Sequence, residues 1–141
     1  MKIFAEAYKC GKEASIDELK RLLSAANPGS IVQVVKLGAT NNELLVEMLA
    51  AQTLQAESSG SLLAKKPEID FLLRVAGTTQ ISKAIRALGV KAGAPFVLVV
   101  ASRSALRGTR PMKRSELPRR ELTAAELWKI EKAALLNAAR A

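Results

Sequence analysis

The sequence contains no histidine. That removes the side chain whose ordinary pKa lies nearest neutrality, and with it the usual proton shuttle and the commonest nitrogen ligand for metals. The single cysteine, Cys10, can form neither an internal disulfide nor a thiolate metal cluster. Aromatic residues number five, Phe4, Tyr8, Phe71, Phe96 and Trp128, too few for a stacking platform of the kind that reads splayed bases. The longest uninterrupted apolar run, Ala94 to Ala101, is far short of the roughly 20 residues that span a bilayer. Met1-Lys2-Ile3-Phe4-Ala5 runs into Glu6 without the apolar stretch of a secretory leader, so the expectation is a soluble, cytoplasmic chain with no membrane partner. Acidic residues are also scarce. Thirteen acids face 22 lysines and arginines, leaving a net charge of +9. A small basic chain of this kind points to a polyanionic partner, most often a nucleic acid.

What is present reads as one domain, residues 1–141, of mixed α/β (α+β) class with a mixed sheet. Lys2 to Tyr8 is a predicted first strand, followed by a turn over Lys9-Cys10-Gly11-Lys12. Ser15-Ile16-Asp17-Glu18 is a capping box, and Ile16, Leu19, Leu22, Leu23 and Ala26 follow at helical spacing. Asn27-Pro28-Gly29 stops that helix, and Ile31 to Val35 is a second strand. Thr40-Asn41-Asn42-Glu43 repeats the capping pattern before a helix with Leu44, Leu45, Met48, Leu49 and Gln52 on its inner face, ending near Glu57. Phe96 to Val100 is apolar throughout and belongs at the centre of the sheet. From about residue 102 to 120 the chain becomes a basic arm: Arg103, Arg107, Arg110, Lys113, Arg114, Arg119 and Arg120 against the lone acid Glu116. Thr123-Ala124-Ala125-Glu126 is a third capping box, opening a C-terminal helix. On that helix Leu127, Trp128, Ile130, Ala134, Leu135 and Ala138 span a broad apolar arc, with Leu136 opposite, beside Lys129 and Lys132.

Pro67 to Gly89 is the most strongly patterned stretch. Pro67 suits a first helical position, and Ile69, Leu72, Leu73 and Ala76 form one apolar stripe. Gly77 suits a left-handed helix end, and Ile81, Ala84, Ile85 and Leu88 repeat the stripe after a tight elbow. Both stripes are expected to face one core, with Arg74, Gln80, Lys83 and Arg86 as outward polar groups. The N–H groups of Thr78, Thr79 and Gln80 at the elbow, between Arg74 and Lys83, suggest a small anion site. Asp70, in the first turn of its helix, is read as a helix-start acid. No catalytic set, metal ligand set or cofactor motif is evident, and a small enzyme using a carboxylate or lysine is the least favoured class.

The run from Leu73 to Ile85, Leu-Arg-Val-Ala-Gly-Thr-Thr-Gln-Ile-Ser-Lys-Ala-Ile, resembles the signature of the TPRKB-type kinase-binding subunit of the archaeal KEOPS complex. Arg74, Gly77, Gln80, Ile81, Ala84, Ile85 and Gly89 carry the resemblance, and Ala76 departs from it where a Ser is often found. KEOPS makes threonylcarbamoyladenosine in tRNA, and the subunit in question is not its enzyme. The resemblance therefore implies a non-catalytic regulatory subunit that binds the KEOPS atypical kinase/ATPase subunit and the tRNA 3′ CCA end, meeting the remaining KEOPS subunits indirectly. It implies a compact mixed α/β domain with no cofactor. It also implies a kinase contact on Trp128, Leu135 and Leu136, and a tRNA contact on Lys65, Lys66, Arg74, Gln80, Lys83 and Arg86. Composition alone leaves open a general RNA-binding or ribosome-associated basic domain.

Overall fold

The computed structural model describes residues 2–11, 15–109 and 115–140. Four strands, β1 (Phe4–Cys10), β2 (Ile31–Lys36), β3 (Phe96–Ser102) and the two-residue β4 (Ser115–Glu116), form one sheet in the order β2-β3-β1-β4. Every pairing is antiparallel, so the expected mixed sheet is replaced by an antiparallel one. β3 takes the centre as its composition demands, with all seven residues buried. The first strand starts two residues later than expected and runs through Lys9 and Cys10, which pair with Val97 and Phe96.

Period-2 alternation divides the sheet into two faces. Ala7, Ile31, Val35, Val97, Val99 and Ala101 lie on one face, in the larger core. Tyr8, Cys10, Val32, Phe96, Leu98 and Val100 lie on the other, over α1 (Ile16–Ala26). The larger core is closed by α2 (Glu43–Ser59), α3 (Pro67–Ala76), α4 (Ile81–Leu88) and α5 (Ala124–Arg140).

The helix ends follow local chemistry, with one shift. Ser15 caps α1 by accepting from the Glu18 N–H at 3.4 Å. Thr123 and Glu126 form a reciprocal box: Glu126 N–H donates to Thr123 Oγ1 at 3.2 Å, and Thr123 N–H donates to Glu126 Oε1 at 3.0 Å. The α2 cap is Asn42, whose Oδ1 accepts from Leu44 N–H at 3.1 Å, and not Thr40 as expected. The inner face of α2 is also turned from the one expected. Leu45, Val46, Leu49, Ala50, Thr53 and Leu54 are buried, whereas Met48 is exposed.

α3 departs furthest from the amphipathic expectation. Asp70 through Val75 are all buried, so the helix runs through the core with two charged groups inside. Asp70 is completely buried and Arg74 only 2% exposed. They lie one turn apart and pair as a fork: Arg74 Nε to Asp70 Oδ1 at 2.7 Å and Nη2 to Oδ2 at 3.2 Å. The remaining lone pairs of Asp70 accept from Thr53 Oγ1 on α2 at 2.5 Å and from the Leu63 N–H at 2.9 Å. Two of the three remaining arginine N–H groups reach α5, donating to the Ala133 carbonyl at 3.1 Å and to Asn137 Oδ1 at 3.0 Å. Asn137 in turn donates to the Ser61 carbonyl at 2.7 Å. One buried ion pair thus ties α2, the segment before α3, α3 itself and α5 together.

Removing one partner leaves an uncompensated buried charge, which costs about 3–5 kcal/mol, a large share of a small domain's stability of roughly 5–15 kcal/mol. Arg74→Met is expected to lower the urea midpoint by an amount equivalent to that loss. The double variant Asp70→Leu/Arg74→Met is expected to recover part of it. Equal stability of Arg74→Met and wild type in urea titration would contradict the assignment.

Candidate nucleic-acid and partner interface

The hairpin of α3 and α4 turns on Gly77, which takes the left-handed conformation (φ 73°) and donates its N–H to the Leu73 carbonyl at 2.8 Å. A side chain at this position would be strained by that φ, and its Cβ would lie 3.4 Å from the Lys132 side chain of α5. The anion site expected at the elbow is not formed as drawn. Thr78 N–H donates to the Leu73 carbonyl at 3.2 Å, and Gln80 N–H donates to Thr78 Oγ1 at 3.1 Å. Arg74, expected as an outward cation, is consumed inside by Asp70 and α5 and drops out of the candidate tRNA-binding surface. The spacing missed this because a helix-start acid and an arginine four residues on also describe an ordinary surface pair. The signal was the apolar residues on every side of them.

Lys65, Lys66, Gln80, Lys83 and Arg86 are exposed. Lys65 and Lys66 sit at the entry to α3, while Lys83 and Arg86 lie on the outer side of α4. The structure therefore groups four cations on one helical hairpin. Among the described residues none of the four enters a salt bridge. The second apolar stripe is only half buried. Ala84 and Leu88 face the core, but Ile81 is 46% exposed and Ile85 54% exposed, one turn apart beside these cations.

The basic arm behaves differently from a loose cationic tail. Arg103 pairs with Glu57 at 3.2 Å and with Ser58 Oγ at 2.6 Å. Arg119 pairs with Glu47 at 2.5 Å, and Arg120 with Glu126 at 2.8 Å. Asn27 grips both backbone groups of Arg107, accepting from its N–H at 2.7 Å and donating to its carbonyl at 2.8 Å. Leu117 is buried, and its N–H donates to the Ala7 carbonyl at 3.1 Å. Both described flanks of the arm are strapped to the body, and three of its arginines are spent on acids of α2 and α5. Arg110, Lys113 and Arg114 lie outside the described residues.

α5 has a split character. Ala133 and Leu136 are buried in the core, and Ile130 packs against it. Leu136, expected on the outer side as a partner contact, is only 7% exposed and is therefore a seat residue instead. The arc drawn from the sequence was centred on the wrong edge because alanines on both faces blur the boundary. Outward lie Trp128 and Leu135, each 62% exposed, with Leu127 beside them. At 100° per residue Trp128 and Leu135 fall within 20° of each other, with Lys132 next to them. The seat is set at its N-terminal end by Glu126. Its carboxyl is held down to about 2 by the Thr123 N–H, with Arg120 and Asn42 adding further hydrogen bonds. Burial pushes the neighbouring Lys129 ammonium down, partly offset by Glu126.

Among the described residues no group of three His, Cys, Asp or Glu side chains is placed to hold a metal, and no helix is long and apolar enough to cross a membrane. No family model matches this chain, and no curated protein matches it.

Because the Glu126 carboxyl is depressed on folding, its contribution to stability is present above the ordinary glutamate range and is lost as the pH falls toward about 2. Glu126→Gln is expected to flatten the acid limb of the unfolding curve over that window. An unchanged acid limb in thermal melts between pH 5 and about 2 would refute the role given to this cap.

Proposed function

We propose that this chain is a non-catalytic regulatory subunit of the KEOPS type, holding the atypical kinase/ATPase subunit on one face and the 3′ CCA end of tRNA on another. The observation that carries the reading is the outer face of α5. A tryptophan and a leucine that are each 62% exposed sit together on a helix whose opposite side is bolted to the core. Aromatic anchors of this kind dominate protein interfaces, and the burial of such a side chain supplies most of the association energy at a contact. The sequence that resembles the family lies beside this face, since the elbow at Gly77 packs against Lys132. The cation-bearing hairpin, with Lys65, Lys66, Lys83 and Arg86 outside salt bridges among the described residues, supports the nucleic-acid half of the reading. Four such cations give affinity through phosphate neutralisation, which weakens steeply with salt. Specificity for an unpaired end comes from groups such as the exposed Gln80 amide.

Ile81 and Ile85 add a second exposed apolar pair, on α4. They are partner-facing candidates that periodicity assigned to the core.

Trp128→Ala is expected to abolish co-purification with the kinase subunit while leaving the fold intact, because the ring is mostly in solvent. Leu136→Ala is expected to lower stability first. Full complex formation by Trp128→Ala on size exclusion would refute the docking face. tRNA lacking its CCA end is expected to bind more weakly than intact tRNA in filter binding at matched salt. Equal affinity would favour a general RNA-binding domain.

A further inference from the structure

β2 is an outer strand of the sheet, and its outer edge faces no further strand among the described residues. Its register with β3 places Gln33 opposite Val99 and Val34 opposite Leu98. Val34 N–H donates to Gln33 Oε1 at 2.9 Å. In an antiparallel pair the residues alternate between groups turned toward the partner and groups turned away. Val32, Val34 and Lys36 therefore present their backbone groups outward.

The sequence of this edge, Ile-Val-Gln-Val-Val-Lys, is well suited to pairing with itself. Two copies related by a two-fold axis, laid antiparallel with Val34 opposite Val34, would place each Val32 opposite the other chain's Lys36. That register alone matches all three outward residues, and the Val34 N–H lies at its centre. The Lys36 carbonyl already accepts from Ala39 N–H at 3.1 Å, so the central pair would be the main link. Such self-complementary edges are the usual route to unwanted association.

Gln33 sits where alternation calls for an apolar residue, since its neighbours on that face, Ile31 and Val35, are core. It is 6% exposed, and its amide is held at both ends. Oε1 covers the Val34 N–H, and Nε2 donates to the Glu68 carbonyl in the first turn of α3 at 3.0 Å. A polar residue in that position sacrifices packing, and the structure shows what it gains. We propose that Gln33 is an edge plug, whose side-chain amide closes β2 against pairing with a second copy of this chain.

Gln33→Met keeps the side chain's length and removes both hydrogen bonds. It is expected to double the weight-average mass in a concentration-dependent way in sedimentation equilibrium, while wild type stays monomeric through this edge. Adding Val34→Pro, which an outward-facing edge position tolerates and which deletes the central N–H, is expected to restore the monomer. A folded Gln33→Met chain that remains monomeric, or a wild-type dimer whose β2 amides become protected on association, would overturn the proposal. Should Gln33→Met not fold, amide exchange in wild type decides. The Val34 amide is expected to exchange as slowly as the ladder amides of Gln33 and Val35, and exchange at the rate of an open coil would overturn the plug.

Discussion

The Asp70–Arg74 pair is the constraint on which the rest of the molecule depends. A carboxylate and a guanidinium, both withdrawn from water, are tolerated only when every lone pair and most N–H groups find partners. Here those partners are drawn from α2, the segment before α3, and α5. The geometry therefore does more than neutralise charge. It specifies where α5 lies, because the Ala133 carbonyl and the Asn137 amide must meet one fixed fork. Gln52 adds a further tie, donating to the Ile130 carbonyl at 3.1 Å. An apolar seam alone would allow α5 to slide or rotate, since Ala133, Leu136 and Ile130 make an undemanding ridge. The polar contacts remove that freedom and so decide that Trp128 and Leu135 face outward.

This arrangement separates two surfaces that the sequence had placed side by side on the hairpin. The cations Lys65, Lys66, Lys83 and Arg86 remain outside, while the arginine nearest the elbow is committed to holding the fold. Gly77 marks the boundary between them. Its left-handed backbone, which a side chain would strain, turns the chain from α3 to α4, and the Lys132 stem lies against it. Part of the segment that resembles the KEOPS subunit is thus accounted for by structure: Arg74 as the inner fork and Gly77 as the helix end. Thr79, Gln80, Ile81, Ser82, Lys83 and Ile85 are the members left facing solvent.

Much of the fold was legible because local chemistry and burial agreed. The capping boxes at Ser15 and Thr123, the turn at Asn27-Pro28-Gly29, and the wholly apolar β3 each name one conformation. Failures came where a residue's type fits two environments. Asn42 and Thr40 are both capable caps, and Val46 and Met48 on α2 are both apolar although only Val46 is buried. Arg74 and Asp70 look like a surface pair until tertiary contacts enclose them. Leu136 and Leu135 are adjacent and chemically identical, and only the bolt on α5 decides which is core. The arginines of the basic arm read as charge answered by one local acid, yet Arg103 and Arg119 meet acids of α2 far away in sequence, whose pairing no local pattern announces, and Arg120 meets Glu126 in the first turn of α5.

Charge, too, acquires a distribution that a net value conceals. Three of the arm's arginines are answered by Glu57, Glu47 and Glu126 of α2 and α5, while Lys65, Lys66, Lys83 and Arg86 stand outside salt bridges among the described residues. Whether α5 is held by the buried pair, and not merely by apolar contact, is read most directly from amide hydrogen exchange in Arg74→Met. The account requires the α5 amides to lose protection while those of β1 and β3 keep theirs under the same conditions. Uniform loss across helix and sheet, or an α5 as protected as in the wild type, would contradict it.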